Sequence, residues 1–288
     1  MSQVNPNFDS HIPLNSFSSV GEDQTANVSV ATGGRIIDAF HFEYPKSAVA
    51  GEKFDASHMH LRVNLNSEDI VDVPVADLIK VEGYKDNAEQ DGYFSVSFRD
   101  IIAKTFEGDH ITGLVTMPGD NLSIEVDIAG TGAGATVTLK GFQDARPAPL
   151  VKGTNRQISR TLVPKLRILP VESEAGDREV NTLPRGPVYK RIYVKASDIE
   201  RFVLETSEGP NAVKMFDLTK ARNEYLQKRH GRVPQAGMYV FDPIVDGYAR
   251  SKVLNTAGLT GMTVRTTKTA AGAMPLLIES VWPEKAVA

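Results

Sequence analysis

The chain contains no cysteine. That excludes disulfides, thiolate metal sites and cysteine nucleophiles, and it leaves a fold that tolerates either redox compartment. It has one tryptophan, Trp282, followed directly by Pro283. No apolar run approaches the roughly 20 residues that a spanning helix needs. The first 23 residues are polar, rich in Ser and Asn, with isolated apolar residues such as Phe8, Ile12, Leu14 and Phe17. They lack the basic-then-apolar order of a secretory signal. Two readings stand for them: a disordered terminus, or an extended arm that orders against a neighbour. The two signs of charge nearly balance: 32 Lys and Arg face 36 Asp and Glu, a net of −4. Such a balance gives no whole-molecule attraction to nucleic acid or an anionic membrane.

What the chain does have is internal repetition. Shifted by 140 residues, Ser67-Glu68 falls on Ser207-Glu208, and Asp77-Leu78-x-Lys80 on Asp217-Leu218-x-Lys220. Leu122, Ile124 and Val126 fall on Met262, Val264 and Thr266, and Gly134-Ala135 meets Gly272-Ala273 at an offset of 138. Solenoid units run about 20–50 residues, so a repeat this long is domain-sized. With 288 residues and 41% hydrophobic composition, each half can bury a core of its own.

Period-two alternation dominates. Phe40, Phe42 and Tyr44 alternate with His41 and Glu43; Leu61, Val63 and Leu65 with Arg62 and Asn64; Phe94, Val96 and Phe98 with Ser95 and Ser97. Leu122 to Ile128 is the cleanest run, and Val137 with Leu139 is a short one. In the second half Ile192 and Val194 alternate with Arg191, Tyr193 and Lys195. Tyr239 with Phe241, Met262 with Val264, and Leu276 with Ile278 continue the style. Clean alternation predicts antiparallel sheets with one wet face. Helix is scarce. Leu218 to Arg229 is the best candidate, with Asp217 as cap, Leu218, Ala221, Tyr225 and Leu226 as its apolar stripe, and Gly231 as the stop. A shorter one spans Val75 to Glu82, entered at Pro74 and left at Gly83. Gln143 to Lys165, with Pro147 and Pro149, reads as the separator, because paired prolines do not serve a sheet interior. The expectation is an all-β protein: two sandwiches of seven or eight strands, each with one short helix.

Chemistry is sparse. Gly130-x-Gly132-x-Gly134 is followed by a strand, not by the helix a phosphate loop requires, and reads as a connection. His58-x-His60 puts two imidazoles on one face without a third ligand at metal spacing, and reads as a surface or interface pair. Asp120, Glu125 and Asp127 form an acidic cluster, read as a solvated face, with calcium binding and a glycosidase carboxylate pair as the rivals. No Gly-x-Ser-x-Gly is present. Lys220, Arg222, Lys228, Arg229 and Arg232 read as a solvated or subunit-facing helix surface, without the broad basic field that nucleic-acid binding needs. Trp282, Tyr84 and Tyr93 are the aromatics on which a carbohydrate-binding adhesin would rely, and Trp282 reads more simply as closing a core. No catalytic, cofactor-binding or metal residue is assigned.

The second half carries a resemblance. Leu183-Pro184-Arg185-Gly186-Pro187 is followed by Tyr189 to Ala196 and Asp198 to Glu205. Then come Asp217-Leu218, Asn223-Glu224-Tyr225-Leu226, Gly231 and the terminal Glu279-Ser280-Val281-Trp282. This order, covering about Thr161 to Trp282, resembles the major capsid proteins of corticoviruses, tailless phages with an internal membrane. The first half is similar through its strand–helix–strand order and length. The resemblance implies a double jelly roll, two eight-stranded sandwiches fused side by side. It implies a non-enzymatic homotrimer forming a pseudo-hexagonal capsomer of an icosahedral virion shell, made in the host cytoplasm. Its partners would be neighbouring capsomers, vertex and minor capsid proteins, and the viral membrane through the N-terminal arm, with no direct nucleic-acid site. Calcium occurs in related shells, but no ligand set maps onto this sequence, so no cofactor is assigned. The domains are placed at 1–23 (arm), 24–145 (first jelly roll), 146–164 (linker) and 165–288 (second jelly roll).

Overall fold

The computed structural model describes residues 10–44, 56–87, 90–99, 113–130, 138–149, 158–208, 211–247 and 253–284. The chain divides into two compact units: 1–82 with 87–101 and 109–164, and 83–86 with 102–108 and 165–288.

The first unit contains β1 (Ser10–Pro13), β2 (Gln24–Val30), β3 (Arg35–Glu43), β4 (Met59–Leu65), β5 (Glu68–Pro74), α1 (Val75–Tyr84, whose last two residues count with the second unit), β6 (Tyr93–Ser97), β7 (Leu114–Thr116), β8 (Leu122–Ile128) and β9 (Lys140–Pro147). One sheet runs β2-β8-β4-β5, the other β1-β9-β3-β6 with β7 on β3. Every pairing among them is antiparallel. The alternation of β4 and β8 puts Leu61 opposite Val126 and Val63 opposite Ile124, all fully buried. From the facing sheet Phe42 and Phe94 stack with centroids 4.6 Å apart, and Phe40 meets Phe98 edge-on. The β4–β5 hairpin turns on Asn66 and Ser67, both at positive φ (52° and 66°). Those are the signs a two-residue type I′ turn requires, and its twist matches the strands.

β10 (Leu162–Leu169) begins three residues before the divide. The second unit then holds β11 (Glu172–Ser173), β12 (Gly176–Val180), β13 (Val188–Val194), β14 (Ile199–Glu208), β15 (Asn211–Thr219), α2 (Lys220–Arg229), β16 (Tyr239–Phe241), β17 (Leu254–Asn255), β18 (Gly261–Lys268), β19 (Gly272–Ala273) and β20 (Leu276–Pro283). One sheet runs β12-β18-β14-β15; the other runs β10-β20-β13-β16 with β17 on β13; β11 and β19 pair separately. The strand order of the first unit is thus repeated step for step, including the hairpin that leads into a helix (β4-β5-α1, β14-β15-α2). Two four-stranded sheets wound in this order make a jelly roll. Phe202, Phe216, Tyr239 and Phe241 fill the second core, with Phe202 stacked on both Tyr239 and Phe241.

Several local expectations are corrected. Gln143 to Pro147 are not a separator but the body of β9, paired to β1 on one side and β3 on the other, with Pro147 at its exposed end. β13 and β20 have no wet face: Arg191, Tyr193, Glu279 and Ser280 are buried along with their apolar neighbours. α2 starts at Lys220, because Asp217 and Leu218 are still paired in β15 with Val203 and Phe202. Asp217 therefore caps nothing; the N-cap position is Thr219, with no side-chain cap. The buried face of α2 is polar, Asn223 and Gln227, while Tyr225 of the expected apolar stripe is exposed. α1 continues through Gly83 to Tyr84.

Candidate functional site

The residues that looked chemically promising are mostly tied to one another. Arg62 on β4 donates through Nη2 to both oxygens of Asp127 (2.9 and 2.8 Å) and lies 3.4 Å from Glu125 Oε2. The two carboxylates are thus cross-strand partners of one guanidinium, half-buried on the sheet surface. Asp120 is sealed. It accepts from Arg160 Nη1 (2.5 Å) and Nη2 (3.1 Å), from the Met117 N–H (2.6 Å) and from Asn66 Nδ2 (2.9 Å). Burial alone would raise its pKa, but those donors outweigh it and hold the carboxyl below its usual range. His60 Nε2 lies 2.7 Å from Asp72 Oδ1, and His58 Nδ1 lies 3.4 Å from Ser57 Oγ, so the two rings have different partners. Gly130 donates its N–H to Asp23 Oδ1 (2.6 Å); Gly132 and Gly134 lie outside the described residues. Among the described residues no group of three or more His, Asp or Glu side chains is placed to hold a cation. The donor sets among these residues do not fit calcium.

None of the three aromatics singled out for a sugar platform is exposed, Tyr93 being half-buried. Tyr84 is fully buried. Trp282 is half-buried, with Lys165 Nζ 4.9 Å from its ring centroid and its indole N–H donated to Ser280 Oγ. The basic stretch is also divided in role. Lys220 Nζ donates to the Ser197 carbonyl, and Arg232 is not on a solvated face but buried, 3.3 Å from Asp242 Oδ2.

Arg232 belongs to a charge network inside the second unit. Arg191 and Glu279 are register partners on β13 and β20, joined Nη1 to Oε2 at 3.1 Å. Lys190 and Lys85 reach Glu279 Oε1 at 2.7 and 3.6 Å, and the Tyr193 hydroxyl donates to Oε2. Asp242 Oδ2 lies 3.1 Å from Arg191 Nε as an ion pair and accepts from the Tyr84 hydroxyl at 3.0 Å, while its other oxygen accepts from the Ile244 N–H. Burial pushes the Glu279 pKa up, yet Lys190, Lys85 and Arg191 together hold it well below the usual carboxylate range. Burial, then the neighbouring carboxylates, keep the phenols of Tyr84 and Tyr193 neutral far past their usual titration. A carboxylate sealed this way locks strands together; it cannot reach a substrate.

A second network was illegible in the sequence. Asp144 on β9 lies between two histidines: His11 Nδ1 on β1 meets Oδ1, and His41 Nε2 on β3 meets Oδ2 at 3.1 Å. His41 Nδ1 in turn contacts Ser95 Oγ at 2.8 Å, and its ring stacks on Phe142. These residues come from four strands, and no spacing connects them.

The exposed apolar side chains are unevenly placed. The large ones among the described residues are Val213 and Met215 on β15, Tyr225 on α2, and Val233, all in the second unit. Val213 and Met215 border a groove of about 790 Å³ that reaches the core residues Leu204, Phe216, Phe241 and Leu254. Concave, mostly apolar ground of this kind suits a docking protein side chain better than a reaction.

Comparisons with known proteins agree on one reading. A family model for the viral coat protein P2 N-terminal domain matches residues 11–145, and one for the viral coat protein P2 C-terminal domain matches residues 163–283. No curated protein sequence matches. Among solved structures, the chain is similar to the major capsid protein P2 from bacteriophage PM2, at 18% identity over 98% of this chain and 100% of that one, with a TM-score of 0.81. The STIV major capsid protein follows at 11% identity, 96% and 97% coverage and a TM-score of 0.70. The PBCV-1 virus capsid follows at 10%, 98% and 95%, with a TM-score of 0.64. At these identities the likeness establishes the fold.

Proposed function

The chain belongs to the viral coat protein P2 family, structural proteins of the capsid and not enzymes, and from that premise we propose that it assembles as a homotrimeric capsomer. Its place is the virion shell, built by self-association. The observation that carries the trimer is the repeated strand order: β2-β8-β4-β5 and β12-β18-β14-β15 are the same sheet made twice. A chain with two equivalent sandwiches reaches near-sixfold packing with three copies, and closed rotational symmetry is the usual route to such a ring. Contacts with neighbouring capsomers follow from a shell. Vertex and minor proteins, and an internal membrane, are further partners of the proposal. The arm from Ser10 to Pro13 is already committed to β9 of its own unit.

Light scattering after size exclusion tests this. The expected mass is three times 31.4 kDa. A monomer at every concentration would remove the capsomer reading.

A further inference from the structure

The repeat sets one carboxylate at the same point of each unit. Between β3 and β9 the register shifts at Asp38, and the first pair beyond the shift is Ala39 with Asp144. Between β13 and β20 it shifts at Lys190, and the first pair beyond is Arg191 with Glu279. Two residues further along the strand, His41 reaches back to Asp144 as Tyr193 reaches back to Glu279, each at 3.1 Å. The difference lies in the countercharge. Glu279 is met by Lys190, Arg191 and Lys85, and lysine and arginine are cationic at any pH near neutrality. Asp144 has two side-chain partners among the described residues, and both are imidazoles: His41, and His11 on β1. Imidazole is the side chain that gains or loses its charge between about pH 5 and pH 8.

No atom has to move for that charge to change. A neutral imidazole donates one N–H to a carboxylate, and its protonated form keeps the bond and makes it an ion pair. His41 Nδ1 meets Ser95 Oγ of β6 at 2.8 Å, and a hydroxyl both donates and accepts, so this ring is satisfied in either state. The side chain of His11 is 77% exposed and takes protons directly from solvent. The other charged groups on the neighbouring strands are engaged elsewhere. Arg146 on β9 pairs with Asp38 on β3 at 3.0 Å, Arg99 reaches the same carboxylate at 3.5 Å, and Lys140 on β9 lies 3.6 Å from Glu43 on β3. Beyond β1 the arm is pinned independently of charge: the Leu14 N–H donates to the Gly141 carbonyl, and the buried Phe17 packs against Phe42. The cluster therefore acts on Ser10 to Pro13 and not on the rest of the arm.

We propose that His11, Asp144 and His41 form a proton-operated latch, which holds the N-terminal strand β1 on β9 more tightly in mildly acidic solution than above neutrality. The second unit carries the permanent version of the same lock. The sign follows from linkage: a contact that strengthens when an imidazole gains a proton is favoured at low pH and fades as pH rises. The latch lies within the first unit and stands whether or not the chain forms a trimer. Hydrogen exchange of the full chain tests it, at one protein concentration and with rates corrected for the intrinsic effect of pH. Protection of the β1 amides is expected to rise about threefold from pH 8 to pH 5.5, the scale of a partly exposed ion pair, while β4 and β8 keep theirs. In 0.5 M salt, a concentration chosen for about 4 Å screening, the rise should shrink. His11→Gln keeps a donor but cannot take up the proton, and should abolish most of the rise; its exposure makes it safe for the fold. Asp144→Asn should do the same by removing the shared acceptor charge. A parent whose β1 protection is equal at both pH values overturns the latch, as does a rise that survives undiminished in His11→Gln.

Discussion

Arg191 and Glu279 face each other across β13 and β20 inside the second sandwich, each sealed from solvent and joined at 3.1 Å. Removing the carboxylate leaves Lys190, Arg191 and Lys85 without it in a buried setting. Glu279→Gln should cost about 3–5 kcal/mol, the usual penalty for breaking a buried pair from one side. The pH dependence has a definite sign. Glu279 has a depressed folded pKa, so its stabilisation is present above its unfolded value of about 4.3 and is lost as pH falls through the folded value. Thermal midpoints of parent and variant, at one protein concentration, should lie far apart at pH 7 and converge below about pH 4. A gap that stays constant with pH would contradict this.

That pair also shows where reading the sequence stops working. β8 was legible because its polar residues face water, so Leu122, Ile124, Val126 and Ile128 stand out at period two. β13 has the same lettering with the opposite meaning. Arg191 and Tyr193 look like a wet face, yet both are covered, and their shared partner Glu279 lies more than 80 residues away. Period two reports that a residue points away from the core; it does not report whether something else covers that side. Pro147 misled for a related reason. It ends β9 with its missing N–H at an exposed position, where proline is tolerated. The repeat, by contrast, was legible from sparse landmarks because strand order fixes their spacing.

Arg160 and Asp120 are another sealed pair, in the first unit. Arg160→Ala removes both guanidinium bonds to Asp120 and the one to the Val115 carbonyl. A loss of about 3 kcal/mol is expected, with Arg160→Lys recovering part of it, because an ammonium restores the charge but not the two-pronged geometry. Chemical denaturation of the three proteins separates these; a lysine variant no better than alanine would assign the effect to shape alone.

Gly141 explains how the arm seats. A Cβ there would lie 2.8 Å from Leu14 Cδ1 and 3.3 Å from Phe17 Cε2, and the Leu14 N–H donates to the Gly141 carbonyl at 2.9 Å. Gly141→Ala should therefore loosen β1 by about 1–3 kcal/mol through overpacking. Hydrogen exchange at His11 and Ile12 should speed up while β4 and β8 stay protected. Adding Leu14→Ala should relieve the clash, so the double variant is expected to be less affected than the sum of the two single ones.

α2 offers the last test. Its buried face is two amides, Asn223 and Gln227, which both donate to the Val240 carbonyl, at 2.8 and 2.9 Å. Helix-period reasoning expected Leu218, Ala221, Tyr225 and Leu226 to dock, so the obvious stabilising design would replace the amides with leucine. That design should fail. Either single change leaves one donor on Val240, so Asn223→Leu or Gln227→Leu should cost only about 1 kcal/mol. The double change strands a buried carbonyl with neither amide and should cost about 1–3 kcal/mol more than the sum of the singles. Denaturation of the four-member cycle measures that coupling directly. Additive losses would mean that the two amides act independently of their shared acceptor, and that the helix is held by packing alone.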